Sequence, residues 1–252
     1  MILRREPTDD QLASPLGRTN PLAKLAVGIT WLLGLVTTTQ PGPPLILAAM
    51  ALGAGLTLGR IPIATLARGA APLVVAALSI GFFNTIFAAA NVDPAASEIA
   101  RFGPLRLTEE GMAGGVGLAS RIVAIAALGV VFAATTDSTR LVDALVQQAR
   151  VPERFGYGAL AAYQAIPRLG EDVTTLREAR RIRGLRGSWH PRLLVGLLVL
   201  AVRHADRLAL AMDARGFGSG PRSRYRPSRW LPRDAVLFLA GIAALVAVLA
   251  LA

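Results

Sequence analysis

Five apolar stretches, each near the length needed to cross a bilayer, constrain this chain more than any other feature. The hydrocarbon core of a membrane requires roughly 20 apolar residues in a helix. The stretches cover roughly residues 22–39, 44–59, 69–90, 112–134 and 234–252. A mean hydropathy of +0.50 agrees with a membrane protein that keeps a large polar part. We therefore predict an all-α, polytopic membrane protein with about five transmembrane helices.

Three polar side chains interrupt these stretches. Lys24 lies near the start of the first stretch, where its ammonium group is expected to extend toward the membrane interface. Asn84 lies in the third stretch and is expected to be buried against a partner helix. Arg121 lies in the fourth, where a charge facing lipid is costly, so we expect it to bind backbone carbonyls or Asn84 rather than form a transport site. Structural intramembrane roles are therefore predicted for Arg121 and Asn84.

Small residues and proline indicate where the apolar helices approach and bend. Gly55 and Gly59 are four residues apart, as are Gly111 and Gly115, a spacing that lets helices approach closely in lipid. The motif is common and nonspecific. Pro72 falls near the predicted start of the third span, where a helix tolerates it.

Positive charge is concentrated in residues 137–233. The chain has a formal net charge of +11, and this segment holds 18 arginines and 8 acidic residues. Such an excess is typical of cytoplasmic loops; a surface for anionic lipid or an acidic protein, or a nucleic-acid patch, is the alternative. We predict that this segment and the N-terminus are cytoplasmic and the C-terminus outside. The predicted organisation is a tail with four transmembrane helices over 1–136, Arg-rich helices over 137–233 and a last transmembrane helix over 234–252.

Two arginine-glycine pairs within this segment each close a stretch with helical periodicity. Arg183-Gly184 follows one apolar stripe, and Arg215-Gly216 follows another. The stripes consist of Val173, Leu176, Ala179 and Ile182 in the first stretch and of Ala201, Ala205, Leu208 and Met212 in the second. Glycine ends a helix where the chain turns left-handed, so each arginine is predicted in the last turn, near the negative end of the helix dipole.

Each pair alone is explained by C-capping with a favourable terminal cation. Two copies that lie 32 residues apart on amphipathic helices favour a second role. An exposed arginine at a helix end is well placed to enter an acidic groove on a partner protein.

The rest of the segment is also predicted to be largely helical. Pro152 opens a helical pattern that continues until Pro167. Residues 193–202 are apolar but too short to cross a bilayer, so we expect them to begin a long helix whose charged half leaves the membrane. Whether 155–166 and 193–202 enter the membrane stays open. A connector rich in glycine, proline and arginine then leads to Trp230, a predicted interface anchor.

The sequence argues against several kinds of chemical site. It has no cysteine, which rules out disulfides, and only two histidines, which disfavours a multi-histidine metal site. It lacks the phosphate-binding and dinucleotide-binding glycine motifs, the zinc-protease helix and the nucleophile elbow. We therefore predict no catalytic residues, no cofactor, no metal and a non-catalytic chain. A self-sufficient transporter or an enzyme acting on lipid-linked substrates is the alternative.

Motifs over 135–220 resemble those of one known family. They are Thr135-Thr136, Ile166-Pro167-Arg168 with Glu171-Asp172, the run 178–184, Ala205-Asp206-Arg207 and the run 212–218. The chain resembles, over nearly its whole length, the transmembrane T component (EcfT/CbiQ family) of energy-coupling factor (ECF) importers. The family's hallmark is Ala-Arg-Gly at the ends of two cytoplasmic coupling helices. Ala214-Arg215-Gly216 matches it fully, and Ile182-Arg183-Gly184 has isoleucine in place of alanine.

The resemblance implies partners and a role. In the family, these arginines dock into grooves on two cytoplasmic ABC-type ATPase subunits, and the same protein holds a small membrane subunit that captures the substrate. The chain would transmit ATP-driven motion for vitamin or metal-ion uptake in a bacterial or archaeal cell membrane, with no nucleic-acid partner. The implied ATPase-coupling residues are Arg180, Arg183, Gly184, Ala214, Arg215 and Gly216. Which of Arg180, Arg181 and Arg183 makes the main contact, which substrate is carried and whether the ATPases are identical stay open.

Overall fold

The structure is a computed structural model that describes residues 7–38, 40–93, 95–103, 105–185, 190–220 and 226–250. It divides into a first unit, residues 1–141 with 229–252, and a second unit, residues 142–228. Parts of the predictions lie outside the described residues: positions 1–6 of the N-terminal tail, positions 221–225 of the connector, and the last two residues of the final span.

Helices make up most of both units. The first contains α1 (Asp9–Ala13), α2 (Pro21–Thr37), α3 (Gly42–Thr57), α4 (Ile63–Ile86), a 3-10 turn (Ala89–Val92), β1 (Glu98–Phe102), β2 (Leu105–Thr108), α5 (Glu109–Thr135) and α9 (Pro232–Ala250). α6 (Ser138–Gln147) begins in the first unit and ends in the second, which also contains α7 (Glu153–Ile182) and α8 (Pro191–Ala214).

Five apolar helices in the described residues correspond to the five predicted spans. α4 with the turn after it, α5 and α9 are long and apolar enough to cross a membrane, whereas α2 and α3 are apolar but shorter, at 17 and 16 residues. Local sequence sets the helix starts: Asn20 accepts from the N–H of Leu22 at the start of α2, and Thr108 accepts from the N–H of Gly111 at the start of α5. The predicted all-α, polytopic fold class is confirmed.

The first unit departs from the sequence-based expectations in two places. β1 and β2 form an antiparallel hairpin, with Ala100 opposite Leu107; strands this short carry too little alternation to be read from the sequence. α4 begins at Ile63 rather than at residue 69, so Pro72 lies inside the helix and not near its start. The helix is long enough to keep backbone hydrogen bonds on both sides of this proline.

Glycines bring α4 and α3 against α5. A Cβ atom on Gly81 would lie 2.7 Å from the Cβ of Ala119 and 2.8 Å from the carbonyl oxygen of Gly115, so α4 and α5 meet through their backbones. A Cβ atom on Gly55 would lie 2.8 Å from Cγ2 of Val131. One glycine of each spaced pair, Gly55 and Gly115, therefore lies at a close helix contact, and Gly81 completes the second contact.

α2 and α9 pack in the same way. The indole Nε1 of Trp31 donates to the carbonyl of Gly241 at 2.8 Å, and a Cβ atom on Gly34 would lie 2.6 Å from Cδ1 of Leu245. Trp31 and Leu245 belong to a buried cluster that α2, α3, α5 and α9 share. The cluster comprises Trp31, Leu35, Leu47, Ala48, Ala51, Ala124, Ala127, Leu245 and Val248.

The three polar residues of the spans have different outcomes. The Arg121 guanidinium donates to the carbonyl of Thr38, so it has one of the backbone partners expected for it. Asn84 is exposed at the surface of the chain rather than buried, because α4 contacts α5 through Gly81 and Asn84 lies beside that contact. Lys24 is only 8% exposed, and its ammonium group donates to the carbonyl of Thr135, the last residue of α5.

The second unit is built around α7 and α8. α7 continues through Pro167, so the predicted helix end at that residue was wrong. The loss of one backbone hydrogen bond there is offset by the remaining helix bonds and by packing against α8, where Gly196 faces Leu176. α8 joins the apolar stretch 193–202 to the charged stretch after it in one helix, as expected. Gly156 gives α7 a close contact with α6, since a Cβ atom there would meet Val146.

Candidate coupling site: two capped helix ends

The end of α7 is a glycine cap centred on Gly184. This residue has a φ of +70°, and its N–H donates to the carbonyl of Arg181 at 3.0 Å. The next N–H, from Leu185, reaches back to the carbonyl of Arg180 at 3.1 Å. These two bonds define a Schellman motif, in which Arg183 is the C-cap residue.

The end of α8 has the same cap. Gly216 has a φ of +67°, its N–H donates to the carbonyl of Asp213 at 2.8 Å, and the N–H of Phe217 donates to the carbonyl of Met212 at 3.0 Å. Arg215 is the C-cap residue, with φ −93° and ψ 9°, close to the φ −77° and ψ 9° of Arg183. The two arginine-glycine pairs therefore occupy equivalent backbone positions.

The implied coupling residues are largely accessible. Arg183, Gly184, Ala214 and Arg215 are exposed, and Gly216 is half-buried. Arg180 is half-buried, and its Nε atom is buried without a hydrogen-bond partner among the described residues. The cap geometry therefore pairs Arg183, and not Arg180, with Arg215.

The two caps lie at opposite ends of a helical pair. Leu176 near the end of α7 faces Gly196 near the start of α8, whereas Arg154 at the start of α7 contacts Gly218 just beyond α8. α7 and α8 therefore run antiparallel. At 1.5 Å per residue, straight helices of these lengths place Arg183 and Arg215 on the order of 30–40 Å apart.

A cleft of about 380 Å³ lies between the facing surfaces of α7 and α8. Its lining is mixed, with apolar side chains beside Gln164, Arg168 and His204. In the described residues there is no group of three or more His, Cys, Asp or Glu side chains that would hold a metal ion. The cleft shows that the helical pair is not packed tightly along its whole length.

A polar cluster that was not predicted from the sequence holds the N-terminal segment against the rest of the first unit. Asp234 is completely buried, and its carboxylate accepts from the N–H of Asn20 at 2.7 Å and from the N–H of Leu231 at 2.8 Å. The amide of Asn20 also donates to the carbonyl of Arg229, and Arg140 donates to the carbonyl of Gly17. Part of this cluster can be recognised in the sequence, because Asn20-Pro21 is a helix-start pattern and Asp234 is the first residue of the last predicted span.

This cluster lies within the first unit and includes residues next to both ends of the second unit's range. Arg140 lies just before the boundary at residue 141, and Arg229 begins the returning part of the first unit. Within the second unit, Gln147 accepts from the N–H of Ser228 at 2.8 Å and donates to the carbonyl of Arg226 at 2.9 Å. Each unit therefore has side-chain hydrogen bonds of its own near the boundary positions.

Comparison with known proteins supplies family evidence. The family model described as "CbiQ: Cobalt transport protein" matches residues 13–226. Similar proteins include the energy-coupling factor transporter transmembrane protein EcfT of Limosilactobacillus fermentum, 28% identical over 88% of this chain and 88% of the relative. The EcfT protein of Heliobacterium modesticaldum is 29% identical, over 86% and 85% of the two chains.

A third relative has a different architecture. A putative ABC transporter ATP-binding protein of Bifidobacterium longum is 27% identical over 94% of this chain, but the match covers only 32% of the relative. A sequence similar to nearly the whole of this chain is therefore part of a longer polypeptide that is named for ATP binding.

Proposed function

The chain belongs to the CbiQ cobalt transport protein family, and on this premise we propose that it is the membrane-embedded coupling subunit of an ECF importer. In this role it receives motion from two cytoplasmic ABC-type ATPase subunits and transmits it to a small membrane subunit that captures the substrate. Its similarity to EcfT proteins supports a place as the transmembrane T component of such a transporter.

The observation that carries the proposal is the pair of equivalent caps at the ends of α7 and α8. Each presents an exposed arginine at the negative end of a helix dipole, and each is fixed by the same two backbone hydrogen bonds. A rigid cationic end suits a charge-assisted, hydrogen-bonded contact with carboxylates on a partner. Two such ends, far apart on one helical pair, suit two ATPase subunits.

The Bifidobacterium relative supports an ATPase partner. Proteins that act together are sometimes joined in one polypeptide. This relative is named for ATP binding, and it contains a segment that is similar to the present chain. The sequence of the present chain contains no phosphate-binding glycine loop of its own. ATP would thus be bound and hydrolysed by the partners, and this chain would have no catalytic role.

We propose that motion is transmitted along the helices themselves. α7 has 30 residues and α8 has 24, so a displacement applied at one cap would be carried along that helix. The exposed apolar side chains in the first half of α8, such as Leu194, Val195 and Leu198, provide a surface for the substrate-capturing subunit or for lipid. We propose a cell-membrane location with the N-terminus and residues 137–233 in the cytoplasm, and uptake of a vitamin or a metal ion.

The test is a mild-detergent purification of the tagged protein from its native membranes, with partners identified by mass spectrometry. Recovery of ABC-type ATPases and a small hydrophobic protein is expected. The double variant Arg183→Ala with Arg215→Ala should lose the ATPases at unchanged membrane levels, because truncating one partner of a buried charge pair costs about 2–5 kcal/mol. Exposed Arg68, on α4, supplies the control Arg68→Ala. The proposal would be refuted if the chain were recovered alone or if the double variant kept its ATPases. If the purified chain transported or converted a substrate by itself, the alternative functions would be favoured.

A further inference from the structure

A cavity of about 370 Å³ lies where the last turns of α4 and the first turn of α5 meet the β1–β2 hairpin. Its lining surface is apolar, since the hydroxyl of Thr85 donates to the carbonyl of Gly81 within its own helix. A volume of this size is typical of a site for a small molecule. The lining residues all belong to the first unit and are Phe82, Thr85 and Ile86 of α4, Ile99, Arg106 and Leu107 of the hairpin, and Met112 of α5.

The cavity lies across the ends of two predicted spans. Its α4 and α5 residues fall in the apolar stretches 69–90 and 112–134, whereas its hairpin residues fall in the polar loop between these stretches. One side of the cavity is therefore expected at the level of hydrocarbon chains and the other at the level of head groups. A ligand that fills the cavity needs an apolar part and a polar part arranged in the same order.

Large apolar side chains border the cavity without being covered by the chain itself. Phe82 is 62% exposed, Ile99 54% and Met112 47%. The hairpin ladder is irregular between Glu98 and Ala100, and Ile99 is the residue between them. Such a bulge re-aims a side chain, and this one places Ile99 in the cavity lining. Contiguous apolar surface of this kind indicates a site that a ligand covers.

Two arginines lie at the polar end. Arg101 and Arg106 are directly opposite each other on the two strands, so their side chains share one face of the hairpin. Nε of Arg106 lies 3.0 Å from Oε2 of Glu98, and the same guanidinium donates to the carbonyl of Asp93. These contacts use two of its five N–H groups, and Arg101 is exposed. Because like charges directly opposite each other destabilise a sheet, a phosphate between the two arginines would stabilise the hairpin.

The surrounding charges favour one kind of head group. The loop 91–110 holds these two arginines and four acidic residues, a formal net charge of −2. A head group with a net negative charge would be repelled by this loop. A zwitterionic head group would not, because its phosphate would lie against the arginines and its ammonium group against Glu98.

We propose that this cavity binds a zwitterionic phospholipid of the phosphatidylethanolamine kind, from the leaflet at the hairpin end of α4 and α5. One acyl chain fills the space between Phe82, Ile99 and Met112, and the phosphate accepts hydrogen bonds from Arg101 and Arg106. The bound lipid thereby joins the hairpin to both helices. The site lies wholly in the first unit and involves neither α7 nor α8, so the proposal is independent of the coupling function.

Native mass spectrometry of the full chain tests the head-group contact. The protein is purified in a sugar-based detergent, stripped of lipid, and titrated with phosphatidylethanolamine or with phosphatidylglycerol of the same acyl chains. A single phosphatidylethanolamine should be retained, and phosphatidylglycerol should be retained less. Arg101→Gln should lower the retention of phosphatidylethanolamine roughly tenfold, because the phosphate loses charge-assisted hydrogen bonds.

Arg68→Gln, which changes an exposed arginine in the first half of α4, is the control and should retain the lipid like the wild type. Equal retention by the wild type and Arg101→Gln, or an equal loss in both variants, would overturn the proposal. Phosphatidylglycerol retained as tightly as phosphatidylethanolamine would overturn the choice of a zwitterionic lipid.

Filling the cavity tests the position of the acyl chain. Ile99→Trp places an indole in the space from the hairpin, and Met112→Trp fills it from α5, so that the result does not depend on one variant folding normally. Each chain is reconstituted in phosphatidylethanolamine vesicles that contain an analogue with a photoactivatable diazirine in its acyl chain. After irradiation, mass spectrometry locates the attached lipid. Attachment to the hairpin should be strong in the wild type and fall in both variants.

Two internal comparisons separate the cavity from general lipid contact. Attachment to α9, whose Leu239 is 64% exposed, should be the same in every chain. Val92→Trp adds an indole in the same loop outside the cavity lining and should leave attachment to the hairpin unchanged. Absence of lipid from the hairpin, or equal attachment there in the wild type and both filled variants, would show that lipid contacts only the surface of the spans and would overturn the proposal.

Discussion

The ammonium group of Lys24, near the start of α2, donates to the carbonyl oxygen of Thr135, the last residue of α5, at 2.7 Å. The side chain of Thr135 is buried and donates to the carbonyl of Val131 one turn earlier. Lysine thus supplies a donor to a carbonyl at the end of a helix, where no intrahelical partner exists, and its charge lies at the negative end of the helix dipole. The chain leaves α5 for α6 and the second unit from this point.

Replacing this lysine should therefore loosen the end of α5. We expect Lys24→Met to lower stability by about 1–3 kcal/mol, because a buried carbonyl loses its hydrogen-bond partner while the apolar volume is kept. Thermal unfolding in detergent measures the effect, and Arg68→Met, an exposed position, serves as the control. An unfolding midpoint equal to that of the control would show that Lys24 contributes no net stabilisation.

Lys24 also shows why the sequence predicts helices better than their contacts. The apolar stretches and the glycine caps are local patterns, so the five spans and the two capped ends follow from neighbouring residues. The partner of Lys24 is 111 residues away, and a lysine near a helix start fits equally well with a side chain that reaches the interface. Only the packing of α2 beside the end of α5 gives Lys24 this carbonyl partner.

The same reasoning explains the other departures. Pro167 predicts a helix end from local backbone chemistry, yet α7 passes through it while packing against α8. The position of Asn84 in an apolar stretch predicts a buried partner for its amide. In the structure α4 contacts α5 through Gly81, and the side chain of Asn84 remains exposed. Within the candidate site, the sequence identified both arginine-glycine pairs; the equivalence of their caps required the hydrogen bonds of the structure.

Asp234 should be essential for holding the N-terminal segment. Its two carboxylate oxygens each accept from a backbone N–H, of Asn20 and Leu231, in a site closed to water. Asp234→Asn replaces one acceptor with a donor, which leaves one buried N–H facing an NH₂ group, so a loss of about 1–3 kcal/mol is expected. Proteolysis of the N-terminal segment should accelerate with it. Asp10→Asn, at an exposed position of α1, is the matched control, and equal cleavage rates in both variants would contradict the prediction.

The contact between α4 and α5 should not tolerate a side chain at Gly115. A Cβ atom there would clash with Oγ1 of Thr85 and lie 2.6 Å from the carbonyl oxygen of Gly81, which is rigid backbone. Gly115→Ala is therefore expected to lower stability by about 1–3 kcal/mol through overpacking. Gly129→Ala, in the same helix with open space around it, should be neutral or stabilising. Unfolding in detergent compares the two, and matching midpoints would show that α4 shifts without cost.

The cap glycines should matter through conformation alone. Among the described residues other than its chain neighbours, no atom lies within 4 Å of a Cβ placed on Gly184, so Gly184→Ala adds no clash with them. Its φ of +70° is nevertheless unfavourable for any L-residue by about 1–2 kcal/mol. Hydrogen exchange should therefore quicken at the amides of Gly184 and Leu185, which close the cap, and ATPase retention should fall although Arg183 is unchanged. Gly170→Ala, inside α7 with equally open surroundings, should slow exchange around it, since alanine favours the helix by about 0.5–1 kcal/mol. Faster exchange in both Gly184→Ala and Gly170→Ala would mean that α7 responds to any added methyl group. Unchanged exchange at the cap amides of Gly184→Ala would show that alanine adopts the left-handed conformation there without loss of stability.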